Sequence, residues 1–355
     1  MSAFLDKLLT KAIESGVSDV HVVAGMPPLF RLHTVLEPVE GAPVIPPDKA
    51  EEFVLDMVGE KRFQTFKEQR DLDFSTQVPD VGRFRVNAHW QRNTVAIAFR
   101  SITTDVPKLE TLNLPPAIAQ LVSLPRGLVI VTGQTGSGKS TTLASMINEM
   151  NHRFQRHVLT LEDPVEYELV SDKCVIEQRE LGSDVPTFAS GLKHALRQDP
   201  DIILVGEMRD LDTTSAAISA AETGHLVLST LHTQSAAQTI ERIIDIYPAG
   251  QQNQIRAMLS NTLQAVISQV LFKRIDRRGM VPACEVMLCS SAVRNCVREN
   301  RIHEIPNIIE TSRSVGMCTL NDSIKELVLS GKINIDQALA QSNQPGHLKQ
   351  VLNVE

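Results

Sequence analysis

Residues Gly133-Gln134-Thr135-Gly136-Ser137-Gly138-Lys139-Ser140 fit the pattern G-x-x-x-x-G-K-[ST] and follow directly on the apolar run 127–132. The chemistry this predicts is the binding of a nucleotide's phosphates. Glycines let successive backbone N–H groups turn inward on a polyphosphate, the Lys139 ammonium reaches the outer phosphates, and the Ser140 hydroxyl can ligate Mg²⁺. Thr141, Thr142, Leu143, Ala144 and Met146 then read as a helix whose positive dipole end adds to the attraction for anions.

Such a loop needs a rigid support, and four apolar runs supply one: 127–132, 158–161, 202–205 and 226–231. Runs without polar alternation, separated by helix-length stretches, predict strands buried on both faces of a mainly parallel α/β sheet. Ligands bind beyond the carboxyl ends of such strands. The residue following each run is polar: the phosphate loop after the first, Glu162 and Asp163 after the second, Glu207 after the third and His232 after the fourth. Carboxylates to hold Mg²⁺, with an acceptor to position or deprotonate water, are what phosphoryl transfer to water requires. His225 and His232 flank the fourth run without a third His or Cys nearby, so hydrogen bonding to a phosphate or carboxylate is expected of them rather than metal ligation.

Residues 1–102 predict a separate, smaller α/β domain. Phe4, Leu5, Leu8, Leu9, Ala12 and Ile13 recur at helical spacing, and 19–23 follows as a short strand. This first helix is expected to pack on its own sheet rather than on a membrane. The Pro/Gly-rich stretch 41–47 precedes a second helix carrying Phe53, Val54 and Met57. Phe84, Val86, Ala88 and Trp90 then alternate with Arg83, Arg85, Asn87 and His89, and a turn at 91–93 leads to a partner strand, 94–100. One face of this pair packs and the other presents arginines. Residues 103–117, with Pro107, Pro115 and Pro116, read as a linker and hinge. The nucleotide-binding core is expected over 118–290, and the chain beyond about Pro248 reads as mostly helical, with a helical C-terminal region over 291–355.

Composition narrows the function classes. At 355 residues the chain suggests two or three domains. The net charge of -7 and 4% aromatic content give little for wrapping or stacking nucleic acid. The basic stretch 273–278 is expected to be a solvated loop. No apolar stretch approaches the roughly 18 residues of a membrane span and no signal pattern opens the chain, so a cytosolic location is expected. Five cysteines without a C-x-x-C pair predict reduced, packed thiols rather than a disulfide framework or a zinc site.

The motifs resemble those of the type II/IV secretion ATPase superfamily, and within it the type IV pilus retraction ATPases. The stretch 133–142 is similar to the family's Walker A, and 161–167 (Leu-Glu-Asp-Pro-Val-Glu-Tyr) to its Asp box. Residues 196–210, from Leu196-Arg197 through Val205-Gly-Glu-Met-Arg-Asp210, are similar to its Walker B, and 223–233 to its His box. Ser18 to His21 and Gly25 to Pro28 are also similar to the retraction ATPases. Residues 292–297 resemble their C-terminal A-I-R-N-L-I motif, with Arg294 and Asn295 matching and Val293, Cys296 and Val297 differing.

The resemblance implies a PAS-like N-terminal domain and a RecA-like P-loop ATPase domain, assembled as a homohexamer with ATP and Mg²⁺ at the domain junction. It implies that Glu207 activates water, that Glu162 assists metal or water placement, and that Arg85 and Arg100 contact nucleotide from the N-terminal domain. The implied setting is cytoplasmic, at the inner-membrane base of a pilus, with a platform protein and the pilin machinery as partners. The tetracysteine insertion and long N-terminal extension of assembly-type and type II secretion ATPases are absent, which favours retraction. An accessory nucleotide-binding subunit, an assembly or secretion ATPase and a RecA-like nucleic-acid translocase are the competing readings.

Overall fold

The computed structural model describes residues 2–32, 35–103 and 105–352. Thr104 of the expected linker and residues 353–355 of the expected C-terminal region lie outside the described residues. The chain divides into two compact units, Met1–Asp105 with Asp163–Glu168, and Val106–Glu162 with Leu169–Glu355.

The first unit is a six-stranded antiparallel sheet with two helices. Helix α1 (Ala3–Glu14) is capped by Ser2, whose side chain accepts from Leu5 N, and it buries Leu5, Leu8, Leu9 and Ala12 at the three- and four-residue spacing of one helix face. Strands β1 (Asp19–Val23), β2 (Leu29–Leu32) and β3 (Val35–Pro38) precede the long helix α2 (Pro47–Gln69), which bends at Gly59, a residue with φ of 72°. Strands β4 (Asp71–Val78), β5 (Gly82–Gln91) and β6 (Thr94–Ile102) complete the order β3-β2-β1-β6-β5-β4. The loop joining β5 to β6 has Arg92 and Asn93 at φ of 46° and 59°, the left-handed pair that a two-residue hairpin requires. Phe84, Val86 and Ala88 point into a core shared with Leu5, Phe53, Phe66 and Phe99, whereas Arg85 and Arg100 face away. The sequence pattern picks out β1, β5 and β6. It misses β2, β3 and β4, whose alternation is broken by charged or polar residues.

The second unit contains a 3₁₀ turn (Leu109–Leu112), α3 (Ala117–Leu121), β7 (Gly127–Thr132), α4 (Lys139–Arg153), β8 (His157–Glu162), β9 (Val175–Glu180), α5 (Phe188–Ala195), β10 (Ile202–Val205), α6 (Leu211–Glu222), β11 (Leu226–Leu231), α7 (Ala236–Asp245), α8 (Gln252–Thr262), β12 (Leu263–Lys273), β13 (Met280–Leu288), α9 (Ser291–Arg298), α10 (Ile305–Thr311), α11 (Leu320–Leu329), α12 (Ile335–Gln341) and α13 (Pro345–Leu352). Its sheet runs β13-β12-β7-β11-β10-β8-β9, parallel throughout except for β13. Strands β7, β8, β10 and β11 are the four apolar runs. Val129 and Val131 pack toward α3 and α4, and Leu128 and Ile130 pack toward the opposite layer that includes α6, α7 and α8. Each such fully buried aliphatic side chain contributes about 1.5–3 kcal/mol of transfer free energy.

One expectation is refined and one corrected here. The chain beyond Pro248 is mostly helical, as its pattern reads, but it also carries β12 and β13, a long hairpin that extends the sheet. Ala265, Val266, Ile267, Val270, Leu271 and Phe272 form a short apolar run that suits either a helix or a strand, and pairing with β7 decides for the strand. The expected linker is also shorter than its prolines imply. Leu109 is buried, and Val106, Leu112 and Leu114 pack on the second unit's core, so 106–117 belongs to that unit.

The basic stretch 273–278 forms the tip of the β12–β13 hairpin, where Arg274 is 8% exposed and holds Asp276 at 2.6 Å. All five cysteines are free thiols. Burial pushes the Cys289 thiol up to about 12 and Cys318 to about 11, which keeps them protonated and poorly nucleophilic.

Candidate active site

The phosphate loop turns between β7 and α4, as its sequence requires. Gly133, Gly136 and Gly138 have φ of 139°, 81° and 88°, backbone conformations that L side chains adopt only under strain. A Cβ at Gly133 would collide with the Gln269 carbonyl and the Ser137 side chain, whereas one at Gly136 would meet open space. The two glycines thus serve different ends. Gly133 lets the loop pass close to β12, and Gly136 keeps the hollow of the loop clear. Lys139 is 8% exposed, and its ammonium donates to the carbonyls of Gly133 and Gln134 at 2.9 and 3.0 Å. Ser137 Oγ is buried and makes no protein hydrogen bond. A buried hydroxyl, an ammonium at the loop mouth and an unobstructed cradle at a helix N-terminus fit a polyphosphate.

The acids arrive at the same sheet edge from neighbouring strands. Glu162, the last residue of β8, has its Oε1 held by Thr160 Oγ1 at 2.6 Å and Gln178 Nε2 at 3.0 Å. Glu207 follows β10 after one glycine. Gly206 donates to Leu161 O at 2.8 Å and accepts from Thr230 Oγ1 at 2.6 Å, which pins this loop between β8 and β11. The Glu207 side chain is 16% exposed and meets Arg209 Nε at 2.6 Å and His232 Nε2 at 3.4 Å. Lys139, Ser140, Glu162, Glu207 and His232 therefore belong to one edge, where β7, β8, β10 and β11 end. Among the described residues, no group of three or more His, Cys, Asp or Glu side chains forms a metal cage. A divalent ion held by one hydroxyl, a carboxylate and substrate phosphates needs none.

Other expected site residues lie elsewhere. His225 precedes β11, at the end of that six-residue strand opposite His232, about 20 Å along the sheet. Its Nδ1 contacts Ala220 O at 2.9 Å, so it closes the α6–β11 turn and does not reach a phosphate bound at the loop. Arg197 is exposed beyond α5, on the approach to the start of β10. Arg294 caps the last turn of α8 through the carbonyls of Ser260 and Asn261 at 2.6 and 3.0 Å, a favourable place for a cation.

Asp163 opens the segment grouped with the first unit, where Tyr167 bridges to Thr103. Arg85 and Arg100 stand directly opposite each other on β5 and β6 of that unit, and Arg100 is tied to Asp19 at 2.8 Å.

The sequence reading missed Gln269. This β12 residue is 3% exposed, donates from Nε2 to Ser137 O at 2.8 Å and accepts from Thr142 Oγ1 at 2.9 Å. A glutamine inside an apolar strand is the signal that could have found it, had the strand been recognised. Thr160 and Gln178, which hold Glu162, carry no signal of their own, and Arg209 enters the sequence reading only as part of the stretch 196–210.

A seven-stranded sheet with a phosphate loop and paired acids at one edge defines a RecA-like P-loop nucleotide-binding protein. The chain belongs to the type II/IV secretion system protein family, whose model matches residues 1–342. It is 43% identical over 341 residues to the type IV pilus retraction ATPase PilT of Pseudomonas aeruginosa, covering 96% of this chain and 98% of that one. It is 42% identical over 331 residues to a twitching motility protein of Neisseria gonorrhoeae, covering 93% of this chain and 88% of the relative. A crystal structure of the pilus retraction motor PilT with bound ADP superposes with a TM-score of 0.90 at 41% identity, covering 98% of this chain and 99% of the other.

Proposed function

We propose that this chain is an ATP-hydrolysing motor that powers type IV pilus retraction, and hence twitching motility. The observation that carries the reading is the convergence of Lys139, Ser140, Glu162, Glu207 and His232 on one edge of the sheet. The names of its full-length relatives select the cellular task.

In this reading the loop amides and Lys139 bind the phosphates and Glu207 orients and deprotonates the attacking water. Its partners Arg209 and His232 fix the carboxylate's direction. Ser140, Glu162 and Glu207 would hold Mg²⁺, directly or through water, and that ion supplies neutralisation of phosphate charge. Arg85 and Arg100 add nucleotide contacts from the N-terminal unit within a homohexamer. Work follows if the triphosphate and its products differ in affinity for two arrangements of the ring. The partners are an inner-membrane platform protein and the pilin machinery, and the ring works at the cytoplasmic side of the pilus base.

Glu207→Gln is the direct test. The variant should bind ATP and lose turnover, and wild-type-like steady-state hydrolysis would overturn the assignment. Deletion of the gene separates retraction from assembly: surplus surface fibres with lost motility support retraction, and bald cells contradict it.

A further inference from the structure

Along β12, side chains alternate between two layers. Ala265 and Ile267 point into the core beneath α4, and Val270 and Phe272 pack with the cluster formed by α11, α12 and α13. Gln269 continues the register of Ala265 and Ile267, so an amide occupies a position where the pattern calls for an apolar side chain. Burying an amide is unfavourable unless both its donor and its acceptor are used. Here both are used, and both partners belong to the phosphate-binding element. The amide donates to Ser137 O inside the loop and accepts from Thr142 on the first turn of α4. The strand's backbone also touches the loop, since the Gln269 carbonyl occupies the space a Gly133 side chain would need, and Gln269 Nε2 stands 2.8 Å from where a Cβ at Gly138 would sit. Thr132 Oγ1, just before the loop, donates to Ser268 Oγ at 2.9 Å and fixes the same register.

We propose that Gln269 is a positioning residue for nucleotide binding, holding the phosphate loop in its binding shape from a strand more than a hundred residues away in sequence. The Ser137 carbonyl accepts from the amide and is thereby kept from turning toward the phosphates. Through Thr142 the same amide also holds the first turn of α4, so the loop and the helix end share one anchor on β12. An interaction present both before and during reaction contributes to binding more than to turnover. Loss of the clamp therefore raises KM, with kcat changing little.

This inference rests on the ATPase reading, and the experiment separates the two. Steady-state hydrolysis and equilibrium binding of a fluorescent ATP analogue are measured on the full chain as wild type, Gln269→Met and Phe272→Leu. The methionine keeps the volume and removes both hydrogen bonds. The leucine loosens β12 on its other face and controls for general destabilisation. Gln269→Met should weaken analogue binding and raise KM by about tenfold or more with kcat within about threefold, while Phe272→Leu at a similar loss of Tm should leave KM unchanged. If wild type binds no ATP, the functional reading itself fails. If wild type binds and Gln269→Met binds equally well, or if Phe272→Leu weakens binding as much, Gln269 has no positioning role. Should Gln269→Met fail to fold, Thr142→Val removes one of the same bonds from the helix side. It must weaken binding in the same direction, and unchanged affinity overturns the proposal.

Discussion

Glu207 and His232, from the ends of the adjacent parallel strands β10 and β11, meet at 3.4 Å through Oε2 and Nε2. The histidine approaches the acid and is positioned to orient it. His232→Ala is expected to lower kcat by roughly tenfold, against a loss of about 10²–10⁴ for Glu207→Gln. The double variant should be no slower than Glu207→Gln alone, because both changes act on one carboxylate. Steady-state hydrolysis by the three proteins checks this.

The phosphate-loop glycines separate folding from binding. Gly133→Ala forces a Cβ against the backbone of β12 and should lower Tm clearly, at a cost of about 2 kcal/mol or more. Gly136→Ala meets open space and costs only the strain of its φ, about 1 kcal/mol. It should nevertheless weaken ATP binding, because its methyl group enters the cradle. Thermal unfolding and a binding titration on the two variants test the contrast.

Asp19 holds Arg100 through a pair in which the arginine is 69% exposed, so the pair contributes little to stability, about 0–1 kcal/mol. Asp19→Ala is expected to leave Tm nearly unchanged and to raise KM for ATP severalfold, because the arginine loses its fixed direction. An unaltered KM would argue against Arg100 as a nucleotide contact.

Glu285 of β13 accepts from the N–H of Ala236 at the start of α7 at 2.7 Å. Burial raises its carboxyl above the usual carboxylate range, despite the opposing effect of that hydrogen bond. A folded pKa above the unfolded one means stability that is complete below the unfolded value and is lost as pH rises through the folded value. Glu285→Gln keeps an acceptor for Ala236 and removes the charge. The variant should gain Tm relative to wild type at pH 8 and not at pH 4, as melting curves at the two values would reveal.

Legibility in the sequence followed the strength of each local pattern. The phosphate loop, Glu162, Glu207 and His232 were readable because buried parallel strands announce themselves as unbroken apolar runs and their ends are where ligands bind. Strand β9 was not, because four of the six residues of its sequence Val-Ile-Glu-Gln-Arg-Glu, at the sheet edge, are polar or charged. The hairpin of β12 and β13 was misread because helix and strand templates both accept its apolar run, and only pairing with β7 settles the matter. His225 was read correctly as preceding its strand, but that is the amino end of β11, away from the carboxyl ends where the phosphate loop lies, so its ring meets Ala220 O instead. Gln269 was passed over because β12 was not recognised as a strand, and its two partners, 132 and 127 residues away, give no local hint of its contacts.

Strand β12 grips the phosphate loop with one set of side chains and carries α11, α12 and α13 on the alternate set. The two jobs thus fall to one strand, and the C-terminal helices are neighbours of the nucleotide site as well as its annex: Leu320 and residues 340–343 line a cavity together with Gly133, Gln134, Thr135, Gly136 and Ser137.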